Sequence, residues 1–148
     1  MSEQTGTNSI LFVCTGNSCR SQMAEGFMRE RAGDRFDVAS AGTTPTRLDP
    51  LAVRVMAEIG IDITEQYPKS VVEMTGERFD YVITVCDKAR ETCPFFPGET
   101  RLHWSFADPA HAEGSEEQRL EGFRRIRDEI SSTINGFLSA HDPASGSF

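Results

Sequence analysis

Short apolar runs alternate along this chain with segments in which apolar residues recur every three or four positions. The first run, Ile10 to Val13, is wholly apolar, as expected for a parallel strand that is buried on both faces. Further strands are predicted at Phe36 to Ala41, Tyr81 to Val85 and Arg101 to Phe106. The first strand is followed by a predicted helix, whose apolar side chains recur at Met23, Ala24, Phe27 and Met28.

Capping signals mark the starts of three more helices. The pair Asp49-Pro50 places a cap before a first-turn proline. Ser70 to Glu73 has the spacing of a capping box, which predicts a short helix, and Ser115 to Gln118 has the same spacing before a long one. The predicted buried stripe of the helix after Asp49 is Leu51, Val55, Met56 and Ile59. The stripe of the long helix is Leu120, Phe123, Ile126, Ile130, Ile134 and Phe137.

This order of elements predicts the fold class. Strands that alternate with helices are joined by right-handed crossovers and form a parallel sheet that is covered on both faces. We therefore predict an α/β fold with a four-stranded parallel sheet and helices on both faces. Because we find no repeat and no linker, we expect residues 1–148 to form a single domain. The polar ends, residues 1–8 and 140–148, are expected to be loose.

Three chemically capable residues fall at one edge of the predicted sheet. In open α/β sheets, ligands bind beyond the carboxyl ends of the strands, where the strand order reverses. Cys14 follows the first predicted strand, Cys86 follows the third, and Asp108 lies two residues past the fourth. We expect these three side chains to converge on one site.

The segment from Cys14 to Arg20 has the spacing C-x5-R between a buried strand and the start of a helix. Five intervening residues allow the chain to curl around a tetrahedral oxyanion, with its N–H groups pointing inward beside the positive end of the helix dipole. The guanidinium of Arg20 is a planar fork that suits two oxygens. The same field favours a thiolate at Cys14, which we expect to be the nucleophile. We expect the hydroxyls of Thr15 and Ser21 to donate to its sulfur. The predicted oxyanion-binding residues are Thr15, Gly16, Asn17, Ser18, Cys19, Arg20 and Ser21.

Charge and composition exclude several classes of protein. With 15 basic and 23 acidic residues the formal net charge is −8, which argues against nucleic acid or an anionic membrane as a partner. No apolar run approaches the ~18 residues of a membrane-spanning helix, and the first residues lack the pattern of a signal peptide. We expect a cytoplasmic protein, and a monomer.

The four cysteines point to thiol chemistry. Structural disulfides are rare in a reducing cytoplasm. The spacings C-x4-C and C-x6-C, with no histidine close to either pair, do not match the usual zinc sites. Cys19 has no partner three positions away and is expected to pack as a small apolar residue. The three histidines, His103, His111 and His141, are scattered and are expected to be structural or solvated.

The string from Ile10 to Glu25 resembles the low-molecular-weight tyrosine phosphatase superfamily, and within it the thioredoxin-coupled arsenate reductases. The resemblance extends over nearly the whole chain. It continues at residues 38–42, 61–63, 82–86, 93–94, 103–104, 108–110 and 127–130. The phosphatase branch usually has Pro where Gln22 stands here, and it lacks a pair corresponding to Cys86 and Cys93. Both differences favour the reductase branch.

The resemblance implies a relay of three cysteines. Cys14 would attack arsenate and form a thiol–arsenic adduct, with Asp108 as the general acid. Cys86 would then attack Cys14 and release arsenite, and Cys93 would attack Cys86 to leave a disulfide that thioredoxin reduces. Reduction of As(V) to As(III) takes two electrons, which two thiols supply when they become one disulfide. The resemblance implies no tightly bound cofactor, and phosphate or sulfate would compete with arsenate as oxyanions.

Two other functions compete with this interpretation. A phosphatase would need only Cys14, Arg20 and Asp108, which leaves Cys86 and Cys93 without a role. A redox-sensing or oxyanion-binding module would need a recognition surface for which we find no sequence signal. The reductant is also open between thioredoxin, a glutaredoxin and a small thiol.

One position departs from the family pattern. Some members of the family hold potassium with residues that match Asn17, Glu25 and Ser40 and with an Asp where Lys69 stands here. An ammonium at this position would repel the cation and neutralise Glu25. We therefore predict no metal.

The segment between Cys86 and Cys93 is expected to change conformation in each catalytic cycle. Its six intervening residues are mostly polar or charged, so little apolar surface anchors it. On a helix, a rise of ~1.5 Å per residue would separate the two Cα atoms by about 10 Å. A disulfide spans at most roughly 7 Å between Cα atoms, so the helix would have to unwind or kink.

Overall fold

Strands alternate with helices in a computed structural model that describes residues 8–111 and 113–141. The strands are β1 (Asn8–Cys14), β2 (Phe36–Gly42), β3 (Tyr81–Thr84) and β4 (Thr100–His103). The α-helices are α1 (Arg20–Ala32), α2 (Pro50–Ala57), α3 (Asp87–Thr92) and α4 (Glu116–Ala140). Two 3₁₀ helices span Val71–Met74 and Pro109–His111. The expectation of loose ends concerns mainly residues 1–7 and 142–148, which lie outside the described residues.

The four strands form one parallel sheet in the order β2-β1-β3-β4. β1 pairs with β2 over its whole length, so that Cys14 lies beside Gly42. The chain adds β2 on one side of β1, then β3 and β4 on the other, and the strand order therefore reverses between β1 and β3. A crevice forms at such a point in open α/β sheets. The predicted parallel four-stranded α/β sheet is confirmed.

The core lies on both faces of the central strand. Residues 10–14 of β1 are all buried, and successive side chains of a strand point to opposite faces. Helices α1, α2 and α4 pack against one another, whereas α3 contacts β1 and β3. The predicted stripe of α1 and all six apolar positions predicted for α4 are buried.

Helix starts follow the capping signals at all three predicted places. The carboxylate of Asp49 accepts a hydrogen bond from the N–H of Leu51, and Ser115 and Gln118 form a reciprocal capping box. The short helix predicted after Ser70 is present as the 3₁₀ helix Val71–Met74, and the Ser70 hydroxyl caps it by accepting from the N–H of Val72 rather than from that of Glu73.

Two predictions fail at the ends of elements. Ile59 lies beyond the end of α2 and is 44% exposed, so it does not belong to the buried stripe. β4 ends at His103 rather than at Phe106, because its partner β3 ends at Thr84 and offers only one more carbonyl, to the N–H of Trp104. Asp108 consequently lies further past the strand than predicted.

Candidate active site

The loop from Cys14 to Ser21 connects the end of β1 to the first turn of α1. Its carbonyl oxygens are turned outward, where they accept backbone hydrogen bonds of 2.8–3.1 Å from the segment 43–49. The pairs are Cys14 with Thr43, Thr15 with Thr44, Gly16 with Thr46, and Ser18 with Asp49. Because the carbonyls point away, the N–H groups of the loop can face the space that it encloses, which is the geometry of an anion-binding nest.

Gly42 allows β2 to approach this loop closely. A Cβ atom at this position would lie 2.6 Å from the carbonyl oxygen of Thr15 and 3.0 Å from the backbone nitrogen of Asn17. Since real Cβ atoms do not approach backbone so closely, any other residue would push the loop away from the sheet.

The sulfur of Cys14 lies inside the loop with two polar neighbours. The residue is 2% exposed, its Sγ accepts a hydrogen bond from the N–H of Asn17 at 3.2 Å, and the hydroxyl of Ser21 lies 2.9 Å away. Both groups can stabilise a thiolate, as can the N-terminus of α1. Ser21 thus lies where the sequence places it. The hydroxyl of Thr15 does not, because it lies 3.3 Å from the sulfur of Cys86.

Asn17 fixes the shape of the loop from its centre. It is fully buried and adopts a left-handed backbone conformation with φ of 51°. Its side-chain nitrogen donates to the hydroxyls of Ser21 at 2.8 Å and Ser40 at 2.9 Å, and its side-chain oxygen accepts from the N–H of Lys69. The side chain of Gln22 donates to its carbonyl at 3.0 Å. The loop is therefore tied to α1, β2 and the segment before the first 3₁₀ helix.

Arg20 and Asp108 form the rim of the loop. One terminal nitrogen of Arg20 donates to the carbonyl of Phe106 at 3.0 Å, and the other lies 3.5 Å from a carboxylate oxygen of Asp108. Its Nε is buried and has no hydrogen-bond partner among the described residues. The guanidinium is thus held in place while its Nε–H is available to a bound anion. Cys14 and Asp108 both line a cavity of about 260 Å³ at this point.

Cys19, within the loop, is buried and its side chain lies beside Asp108. Its sulfur lies 3.8 Å from a carboxylate oxygen of Asp108. Burial raises the pKa of the Cys19 thiol strongly, and the negative charges of Asp108 and of a Cys14 thiolate raise it further. Cys19 is therefore held as a neutral thiol, in keeping with the expected apolar packing.

The second pair of cysteines flanks the short helix α3. Cys86 is its N-cap and Cys93 its C-cap, and both are buried. Between them only Ala89 is buried, whereas the other five residues of the helix are exposed. A second cavity, of about 640 Å³, joins Cys86 to Thr15, Arg20 and Asp108. The structure thus brings Cys14, Arg20, Cys86 and Asp108 to one crevice.

Cys93 lies at the far end of α3, and Arg101 of β4 holds the backbone there. The guanidinium donates to the carbonyls of Cys93 at 3.3 Å and Pro94 at 2.6 Å, and it pairs with Glu99. Burial raises the pKa of the Cys93 thiol, an effect that the positive charge of Arg101 partly offsets. Cys93 therefore rests as a thiol.

A series of side-chain hydrogen bonds links the start of α3 to β3 and β4. The ring of His103 lies 2.7 Å from the hydroxyl of Thr84 and 2.9 Å from a carboxylate oxygen of Asp87, which also accepts from Ser105 at 3.2 Å. The hydrogen bonds from His103 and Ser105 lower the pKa of Asp87. His103 is thus a structural residue, as expected, and it holds the residue next to Cys86.

The resemblance implies a potassium site at Asn17, Glu25 and Ser40, but the side-chain oxygens of Asn17 and Glu25 accept hydrogen bonds from other groups of the protein. One carboxylate oxygen of Glu25 pairs with Arg29 at 2.7 Å, and the other accepts from the hydroxyl of Ser40 at 2.6 Å. The side-chain oxygen of Asn17 accepts from the backbone of Lys69. The ammonium of Lys69 donates to the carbonyl of Tyr67, and burial lowers the pKa of Lys69 although Glu25 raises it. These residues do not fit a potassium ion, and the partner of Glu25 is Arg29 rather than the predicted Lys69.

The sequence did not single out the residues that hold the site together. The sequence marks Gln22 only as a departure from proline, yet its side chain fixes the loop carbonyl of Asn17. It marks Arg101 only as the start of a strand, yet the guanidinium holds the carbonyls of Cys93 and Pro94. A signal was available for Gln22, since a polar residue beside the apolar stripe of α1 has to find a partner when it is buried.

No helix within residues 8–111 and 113–141 is long and apolar enough to cross a membrane. Within the same residues, no group of three His, Cys, Asp or Glu side chains could hold a metal ion.

The chain is similar to known proteins over most of its length. The model of the low molecular weight phosphotyrosine protein phosphatase family matches residues 9–143. The arsenate reductase of Halalkalibacterium halodurans is 48% identical over 129 residues, which are 86% of this chain and 93% of that protein. The solved structure of an arsenate reductase in the oxidized state has a TM-score of 0.77 and 29% identity, and the match covers 90% of this chain and 98% of the other. The thioredoxin-dependent arsenate reductase of Corynebacterium glutamicum has a TM-score of 0.60 and 28% identity, over 88% of this chain and 63% of its own.

Proposed function

Since the chain belongs to the low molecular weight phosphotyrosine protein phosphatase family, and arsenate reductases are among its similar relatives, we propose that it reduces arsenate to arsenite. Cys14 is the nucleophile, Cys86 and Cys93 are the redox pair, and thioredoxin is the reductant. A single domain carries all three cysteines. The cytoplasm suits this reaction, because the thiols there are kept reduced.

One contact favours a reductase over a phosphatase. The hydroxyl of Thr15, the residue after the nucleophile, lies 3.3 Å from the sulfur of Cys86. A second thiol is therefore in contact with the loop that holds Cys14. Reduction of arsenate needs this second thiol, whereas hydrolysis of a phosphate ester does not. The proposal depends chiefly on this contact.

The oxyanion is held by the loop and by Arg20. Outward carbonyls leave the N–H groups of the loop facing the anion, and Nε of Arg20 is a buried donor without a described partner. The thiolate of Cys14 attacks arsenic, and an S–As bond forms as an oxygen departs as water. Asp108 gives the proton for this step from the rim of the same cavity.

The reduction takes place when Cys86 loses its proton to solvent and its sulfur attacks the sulfur of Cys14. An S–S bond forms, the S–As bond breaks, and its electron pair stays on arsenic, which leaves as As(III) in arsenite. Cys93 then loses its proton and attacks Cys86, which returns Cys14 to a thiolate. A dithiol reductant supplies two electrons to the Cys86–Cys93 disulfide and leaves as a disulfide itself.

The last transfer requires α3 to unwind. Cys86 and Cys93 flank a helix of six residues, across which their Cα atoms are about 10 Å apart, beyond the roughly 7 Å that a disulfide spans. Arg101 holds the carbonyls of Cys93 and Pro94, whereas Ala89 is the one buried side chain of the helix. Cys86 therefore moves outward toward Cys93, and the disulfide forms where a reductant can reach it.

The second candidate function is hydrolysis of phosphate monoesters. The family model favours it, and Cys14, Arg20 and Asp108 are the groups that such a reaction needs. Because both reactions begin with the same nucleophile, a weak phosphatase activity can accompany reduction.

Replacement of the last cysteine tests the relay. The variant Cys93→Ser should release about one arsenite per chain and then stop, because each chain holds only the two electrons of Cys14 and Cys86. Arsenite release with thioredoxin, its reductase and NADPH, and mass spectrometry of the stalled product, measure this. We expect a Cys14–Cys86 disulfide in the variant and a Cys86–Cys93 disulfide in the oxidised wild type.

The control is Cys14→Ser, which should release no arsenite and hydrolyse no phosphate ester. Sustained thioredoxin-driven turnover by Cys93→Ser would contradict the relay, and so would arsenite release by Cys14→Ser. Parallel assays with glutaredoxin and with a small thiol decide which reductant is preferred.

A further inference from the structure

Two adjacent phenylalanines follow Cys93 and differ sharply in exposure. Phe96 is buried and packs edge-on against Phe79, with ring centroids 5.4 Å apart. Phe95 is 80% exposed. The neighbouring Phe96 anchors this stretch of chain in the core, so the exposed ring of Phe95 stands on a fixed backbone.

The ring of Phe95 is also held from the side. The guanidinium of Arg101 lies 4.5 Å from the ring centroid. That guanidinium is itself fixed by both carboxylate oxygens of Glu99, at 2.6 and 2.9 Å, and by the carbonyl of Pro94. Glu99 accepts in addition from the N–H of Phe96. An exposed aromatic side chain that is oriented in this way loses little conformational freedom when another surface covers it.

We propose that Phe95, stacked on Arg101, is the contact on which a protein reductant docks. The inference rests on the proposed function, in which a dithiol protein reduces the Cys86–Cys93 disulfide. To exchange with that disulfide, the sulfur of the reductant must come within bonding distance of a residue two positions from Phe95. A protein surface that does so covers the ring. Aromatic side chains, phenylalanine among them, and arginine are enriched in the interfaces between proteins.

A small thiol does not need this contact. Its few atoms reach the disulfide without covering the ring of Phe95, so only a protein partner gains from it. Other exposed apolar side chains lie elsewhere. Val72 is 66% exposed and lies two residues after Ser70, which forms a β-bridge with Gly42 at the β2 edge of the sheet. Phe95 lies beside β4, at the opposite edge. Val72 therefore provides a matched control.

The experiment compares Phe95→Ala and Val72→Ala in arsenate reduction driven by varied concentrations of thioredoxin, and separately by dithiothreitol. For Phe95→Ala we expect the KM for thioredoxin to rise about tenfold or more, because the apolar contact of a buried ring is lost. Turnover with dithiothreitol, and the arsenite released in a single turnover without any reductant, should stay within a factor of two of wild type. Phe95→Trp should keep the KM for thioredoxin close to that of wild type. Val72→Ala should change neither the reaction with thioredoxin nor that with dithiothreitol.

A KM for thioredoxin within twofold of wild type in Phe95→Ala would overturn the docking role, and so would an equal loss of turnover with dithiothreitol. Failure of the proposed function is distinguishable, because the wild-type chain itself would then release no arsenite in a single turnover. A loss of folded protein in Phe95→Ala, measured by thermal unfolding, would show that the ring supports the fold and would also overturn the docking role.

Discussion

The Cys14–Ser21 loop and the Cys86–Cys93 segment both place a cysteine at the carboxyl end of a strand, yet they are held very differently. In the loop, Asn17 and Ser21 are fully buried and hydrogen-bonded, and the backbone carbonyls are tied to a neighbouring segment. Between Cys86 and Cys93, only Ala89 is buried. A fixed loop can recognise a tetrahedral anion, whereas a loosely held helix can unwind to form a disulfide. One site thus combines a rigid half with a deformable half.

The largest contrast between the two halves should come from exchange of arginine for lysine. Arg20→Lys should lower the rate of arsenite release about 100-fold, because an ammonium cannot reproduce the guanidinium donors that hold Phe106 and face the anion. The matched variant Arg90→Lys, on the exposed face of α3, should stay within a factor of two. Single-turnover assays of both variants measure this. A near wild-type rate for Arg20→Lys would mean that the loop does not bind the oxyanion.

A smaller contrast is expected in stability. Asn17→Ala should lower the free energy of unfolding by about 2 kcal/mol, because it removes the hydrogen bonds of the Asn17 side chain with Ser21, Ser40 and the N–H of Lys69. Glu91→Ala, on α3, should change it by less than about 0.5 kcal/mol. Urea denaturation of the two variants makes the comparison. Equal effects would show that the 86–93 segment is as firmly packed as the loop.

The smallest effect should be that of potassium. Beside the rigid loop, Glu25 pairs with Arg29, and the side-chain oxygen of Asn17 accepts a hydrogen bond from the N–H of Lys69. Donors of the protein therefore already occupy the oxygens to which a cation would bind. Exchange of sodium for potassium at constant ionic strength should shift the Tm by less than about 1 °C, because a ligand that does not bind the folded state does not stabilise it. Thermal unfolding in the two salts measures the shift. A stabilisation specific to potassium would show that Arg29 and Lys69 make room for the ion.

The fold could be predicted from the sequence where apolar periodicity and capping agree. The buried run of β1, the stripe of α4 and the capping box at Ser115 all reinforce one another over long stretches. Predictions failed where local signals had no support from packing. Ile59 fits the helical spacing, but α2 ends before it, and the predicted end of β4 depended on how far β3 extends beside it.

The sequence predicts which side chains meet in the crevice, but not the contacts that support them. Cys14, Arg20, Cys86 and Asp108 follow from strand ends and from the spacing of the loop. Thr15 was expected beside Cys14 and lies beside Cys86, because the direction of a hydroxyl depends on the path of the loop in space. The role of Arg101 depends on its contact with Pro94 beyond its own strand, which local patterns do not encode. The pairing of Arg29 with Glu25, four positions apart on α1, is a local signal that the sequence does carry.

The burial of Ala89 alone within α3 has a consequence for the evolution of the protein. Apart from Asp87, which His103 and Ser105 hold, the exposed positions of that helix can accept many substitutions without a folding penalty, since surface changes away from special contacts alter stability little. Variation in charge there would alter the surface beside Cys86 and Cys93 while the loop around Cys14 keeps its shape. Lineages could therefore adapt the helix to different electron donors and retain the same chemistry on arsenic.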